Sequence, residues 1–140
     1  MYFLKLLCLY IISLIAFLAI DFAWLGIVAK NFYQKELAHL LAQNVNWIAA
    51  FICYALLIVG ILIFAVLPGL EKKCFLKSLY LGILFGFFIY AIYDFTNLAT
   101  LKNWPIKIVI IDILWGMFIT GIVASFGYYV GSHFLYLHQT

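Results

Sequence analysis

At 140 residues, 69% apolar and 9% charged, with a mean hydropathy of +1.21, this chain holds more apolar surface than a water-facing fold of its size can bury. The formal charge is +3, and all eight basic residues are lysines, which argues against phosphate or nucleic-acid recognition, where the bidentate guanidinium is favoured. A lipid bilayer is the expected solvent, and the length fits one domain, 1–140.

The first predicted span covers about 6–28, between Lys5 and Lys30. It is too long for a secretory h-region of about 7–15 residues and no small-residue cleavage site follows, so a retained anchor is expected. Next, residues 31–44 read as a short amphipathic helix lying in the membrane interface. Phe32, Tyr33, Leu37, Leu40 and Leu41 lean one way, while Lys35, Glu36, His39 and Gln43 lean the other. Asn31 is placed to cap it, with Gln34 three residues on. The second span, 47–67, carries no charge and is expected to stop at Pro68-Gly69. The third covers 78–98. The fourth covers 105–130 and opens on Pro105, a favourable first-turn residue. The fold class is therefore all-α: a four-helix transmembrane bundle with a short interfacial helix between the first and second spans.

Glu71–Lys77 is the densest basic loop and marks the cytoplasmic side. Both termini are then expected inside, with the other two loops outside. Trp47 and Trp104 stand at two helix starts, the depth that tryptophan prefers. Gly82-x-x-x-Gly86, the ridge Gly116, Thr120, Ala124, and Gly127-x-x-x-Gly131 offer close-packing faces. These faces serve helix packing within the chain, with a homodimer contact as the alternative. Cys8, Cys53 and Cys74 share no metal-type spacing and read as structural. His39, His133 and His138 read as solvent or headgroup residues, the last two beyond the fourth helix. No metal, haem or nucleotide signature occurs, and neither metal nor cofactor is expected.

Three acids remain inside the apolar runs: Asp21, Asp94 and Asp112. An acid at mid-helix costs roughly 2.5–3.5 kcal/mol on insertion scales, so three ask for a reason. With the helices alternating in direction, all three fall roughly 6–9 Å below the same surface. Asp21 and Trp24, and Asp112 and Trp115, are acid–indole pairs three residues apart. Tyr90, Tyr93, Asp94 and Asn97 form a polar stripe on the third helix, with Thr96 and Thr100 near its end. Such stripes are expected to point inward, because buried polar groups need partners.

Three functions compete for this set. It locks the bundle; or it binds a small cationic or polar solute, a proton or a lipid headgroup; or a carboxylate serves as acid or base in a lipid-modifying enzyme. The binding reading draws its candidate site from Asp21, Trp24, Tyr90, Tyr93, Asp94, Asn97, Asp112 and Trp115. No catalytic residue is assigned.

The run Tyr93-Asp-Phe-Thr-Asn-Leu-Ala-Thr-Leu-Lys-Asn-Trp-Pro105 is distinctive. With Asp112-x-x-Trp115-Gly116 and Asp21-x-x-Trp24-Leu25-Gly26 it resembles the membrane-protein family named domain of unknown function 2177. The resemblance covers nearly the whole chain. It implies a small multi-spanning protein of the bacterial inner membrane with no assigned activity, and it carries no site residue over.

Overall fold

The computed structural model describes residues 2–136, with side chains through Phe134. Among the described residues every regular element is a helix, and four helices are long and apolar enough to cross a membrane. These are α1 (Tyr2–Val28), α3 (Trp47–Glu71) and α4 (Phe75–Thr100), with α5 (Ile106–Tyr136) the longest. The short α2 (Lys30–Leu37) joins the first two. At about 1.5 Å per residue the long helices span roughly 37–46 Å, enough for a hydrocarbon core of about 30 Å and part of both headgroup layers.

The bundle is held on its inner faces by Phe17, Ile58, Ile61, Val66, Ile119 and Val123, all fully buried. Its outer faces are equally apolar: Phe51, Leu56, Phe88 and Ile92 are exposed. That combination suits a lipid solvent, where apolar surface needs no cover. Close approach is set by small residues. A Cβ on Gly82 would meet Ala124 at 2.6 Å, and one on Gly86 would meet the Gly116 carbonyl at 2.4 Å. The Thr120 hydroxyl bridges the same seam, 2.8 Å from the Gly82 carbonyl and 2.6 Å from that of Gly116. Gly127 and Gly131 instead receive Val66 and Leu70 of α3. All these small-residue faces are thus used inside one chain.

Several boundaries differ from the sequence expectation. Pro68-Gly69 does not end α3. A π turn at Leu62–Val66 precedes it, with Leu67 N–H donating to Leu62 O. The wider turn relieves the clash between a proline ring and the carbonyl four residues back. The helix stops after Glu71, where Lys73 N–H bonds Leu70 O and Cys74 N–H bonds Gly69 O. Lys73 takes the left-handed φ of 49° that this Schellman turn requires. Gly69 is needed for another reason: a Cβ there would lie 2.0 Å from Ser78 Oγ, where α4 begins.

The capping role given to Asn31 is also overturned. A second π turn, Trp24–Val28, runs into Ala29, whose N–H bonds Trp24 O at 2.7 Å. Helix α2 follows at once, so Asn31 lies inside its first turn and Ala29 occupies the cap without a side-chain bond. Leu40 and Leu41 fall beyond the end of α2 and are exposed. The lysines do not trim the helices either: α1 already includes Lys5 and α4 includes Lys77, since an ammonium near a helix end reaches back to the headgroups. His133 lies within α5 rather than beyond it, with Nδ1 2.9 Å from the Tyr129 carbonyl. His138 lies outside the described residues.

Candidate functional site

The three acids share one end of the bundle, the end covered by α2. Asp21 stands seven residues before the end of α1, Asp94 six before the end of α4, and Asp112 six after the start of α5. Helical rise puts each about 9–10 Å below the helix ends, deeper than the sequence boundaries implied. They do not converge on a point. Among the described residues no three His, Cys, Asp or Glu side chains come together as a metal site. Instead they form a row, Asp94 beside Asp112 and Asp112 facing Asp21.

Asp21 is 5% exposed and fully engaged. Tyr54 donates to Oδ2 at 2.6 Å and the Trp115 indole donates to Oδ1 at 3.1 Å. Trp24 stacks flat on Trp115, with ring centroids 4.3 Å apart and planes 8° from parallel. The indole of Trp115 therefore serves the acid of a neighbouring helix, not the one three residues before it. Asp112 is half-buried and accepts from the phenol of Tyr33 on α2. Burial first, and then that bond to a carboxylate, push the Tyr33 phenol above the ordinary tyrosine range. It stays a protonated donor at physiological pH.

Asp94 is the contrast. It is 0% exposed, and neither of its oxygens has a hydrogen bond of normal geometry among the described residues, although Trp104 and Asp112 stand close enough to interact with it. Its neighbours are Asp112 and the buried Trp104, whose own Nε1 has no partner within bonding geometry. Trp104 is tucked under α2 with Ile108 and Val109, packed against Phe32, Tyr33 and Leu37. Asn103, at φ 57°, makes the turn that sends Trp104 inward. Asparagine is among the few residues that tolerate this conformation.

A cavity of about 290 Å³ opens beside the row. All four spanning helices line it: Asp21 and Leu25 from α1; Cys53, Tyr54 and Leu57 from α3; Ile89, Tyr90 and Tyr93 from α4; Asp112 and Trp115 from α5. The cavity exists because α3 and α4 part company. They are clamped at their loop end and again where Phe85 lies over Gly60 and stacks on Phe64. Beyond that level α4 leans on α5, and the first fifteen residues of α3 hardly touch it. The lining is mainly apolar, with two acids and three phenols and no basic side chain.

The profile of the family described as "Predicted membrane protein (DUF2177)" matches residues 6–129. The chain belongs to that family. No curated protein and no solved structure matches it. With four spans in the structure, this DUF2177 member is a multi-pass membrane protein.

Of the eight residues singled out in this DUF2177 sequence, five line the cavity: Asp21, Tyr90, Tyr93, Asp112 and Trp115. Trp24 supports it from behind through the stack on Trp115. Asp94 lies behind Asp112, outside the lining. Asn97 is half-buried, one turn beyond Tyr93, and does not line the cavity either. The α4 stripe does not all point inward. Tyr90 and Asp94, four apart, share the face toward α5, while Tyr93 is 56% exposed and edge-on to Trp104. Thr96 and Thr100 are exposed, and the Thr100 hydroxyl bonds the Thr96 carbonyl.

Besides the apolar and thiol lining, three hydrogen-bonding residues at the site are not marked by the sequence. Tyr54 is the sole phenol of the charge-free second span, seven residues past Trp47 and level with the acids; that matching depth was a usable signal. Tyr33 falls among apolar neighbours in the sequence, and nothing local says that its hydroxyl reaches 79 residues along the chain to Asp112. The sequence places Trp104 at the headgroups as a boundary marker, whereas it is 9% exposed and beside Asp94.

Proposed function

We propose that this membrane protein binds a small cationic or polar group, a lipid headgroup included, in the cavity between its four spans. The observation that carries the reading is the wall itself: two carboxylates and three tyrosines around a mainly apolar space with no basic residue. Such a site rejects anions and rewards a hydrogen-bond donor or a cation, because a charge-assisted bond is strong away from water. The volume sits at the lower end of the roughly 300–1,000 Å³ typical of small-ligand sites, so the ligand, or the part inside, is small.

The two acids divide the work. Asp21 is held by Tyr54 and Trp115 and fixes the wall. Asp112, bonded to Tyr33 on one side and part of the cavity on the other, meets the ligand. The lysine cluster at 71–77 supports placing that loop and both termini in the cytoplasm of a bacterial inner membrane. The cavity then lies in the outer leaflet.

The test uses the full chain in nanodiscs, titrated with ethylamine, choline and phosphatidylethanolamine, with unfolding temperature as the readout. At least one of them gives a saturable rise that Asp112→Asn removes. No rise with any of the three, or a rise that persists in Asp112→Asn, overturns the proposal. Chemical turnover of a bound lipid would move the reading to a lipid-modifying enzyme.

A further inference from the structure

The same cavity has a direction, and it bears on what can enter. We infer that its ligand is a lipophilic amine that arrives from within the bilayer, through the gap between α3 and α4. This rests on the binding reading above and narrows it to one class of molecule and one route.

Depth is the first argument. The lining residues Cys53 to Leu57 lie six to ten residues beyond the start of α3, and Ile89 to Tyr93 lie seven to eleven before the end of α4. By helical rise that is about 9–16 Å below the helix ends, at the level of acyl chains rather than headgroups. A freely hydrated solute rarely reaches that depth through lipid, whereas a molecule already dissolved in the leaflet is there.

The second argument is the mouth. Cys53 on one lip and Ile89 and Tyr93 on the other are exposed. The surfaces flanking them, Ile52 and Leu56 on α3 and Phe88 and Ile92 on α4, are exposed and apolar. In a bilayer those surfaces face lipid, so the gap between them does too. Phe85, seated on Gly60, closes the gap below. Toward the helix ends, α2 lies over the start of α5 and its Tyr33 engages Asp112.

The third argument is the order of chemistry from lip to wall. Leu57 and Ile89 stand at the α3 and α4 sides, while Asp21 and Asp112 stand on the opposite α1 and α5 side. An amphiphile entering between α3 and α4 meets Cys53, Ile89 and the Tyr93 ring first and the acids last. A protonated amine at its head would face Asp112, and its apolar body would fill the gap. A neutral head would offer Asp112 no counter-charge, and an anionic head would be repelled.

The full chain in phosphatidylcholine nanodiscs is titrated with dodecylamine, dodecanol and ethylamine, each expressed as its mole fraction in the membrane where it partitions. Unfolding temperature is the readout. Dodecylamine should give a saturable rise at a mole fraction at least about tenfold below any effect of dodecanol. Cys53→Trp, which places an indole in the gap, should abolish that rise; Ile89→Trp on the opposite lip serves where the first variant does not fold. If ethylamine gives an Asp112-dependent rise that survives both plugs, the ligand comes from water and the lateral route is wrong, while the binding reading stands. If dodecanol matches dodecylamine, the amine assignment is wrong. If no amine acts at all, both inferences fall.

Discussion

Asp21 and Asp94 are both buried carboxylates at one depth, yet their removal should differ in cost. Asp21 satisfies two donors, so Asp21→Leu strands the Tyr54 hydroxyl and the Trp115 indole. The expected loss is about 1–3 kcal/mol for each stranded group. Asp94 makes no bond of that geometry and has only looser contacts with Trp104 and Asp112, so Asp94→Leu is expected to cost clearly less than Asp21→Leu. Chemical unfolding in detergent measures both. An Asp94→Leu loss as large as that of Asp21→Leu would show that Asp94 has a partner that geometry does not assign. The sequence showed three equivalent acids. Only the side-chain contacts make one a lock, one a cavity wall and one an unsatisfied group. Those contacts cross between helices, from residue 21 to 115 and from 33 to 112, and local spacing cannot encode them.

Helix α2 is short, and an isolated helix of eight residues is not stable on its own. It is held by packing on Trp104, Ile108 and Val109 and by the Tyr33–Asp112 bond. Tyr33→Phe keeps the packing and deletes the bond, so amide exchange across Lys30–Leu37 should speed up while α4 and α5 stay protected. The bond also has a pH signature. The folded Tyr33 phenol titrates above its unfolded value of about 10. Its contribution is therefore complete below about pH 10 and is lost as pH rises through the folded value, since the unfolded state gives up its proton first. The stability gap between wild type and Tyr33→Phe should stay flat from neutral pH to about 9 and shrink above about 10. A gap that did not shrink above about pH 10 would rule this out. At this scale, existence was easier to read than extent. Four spans follow from hydropathy over about twenty residues, but the two π turns, which carry α3 past Pro68 and α1 to Ala29, leave no mark in composition. They depend on how each helix packs.

Across the whole molecule, the α4–α5 seam sets the frame and the α3–α4 divergence makes the cavity. A Cβ on Gly86 would meet the Gly116 carbonyl and Thr120 Oγ1, and a backbone oxygen cannot swing away. Gly86→Val should therefore cost at least about 1–3 kcal/mol as overpacking and weaken the proposed ligand binding by moving Tyr90. Gly26 has open space around it, so Gly26→Ala is the control and should change neither stability nor binding by this route.

The sequence alone determined the solvent, the number of spans, the all-helical class and the common depth of the three acids. Each of these follows from hydropathy, charge placement and the fixed rise of a helix, which are properties of the chain read one segment at a time. The tertiary structure alone decided which donors reach which acid, that Trp104 and Tyr33 stand beside the acids, and that all four spans line the space beside Asp112. Those depend on how far apart two helices stand and on their rotation about their own axes. Such quantities are set by side chains such as Phe85 against Gly60, far apart in the chain and meaningful only once they meet.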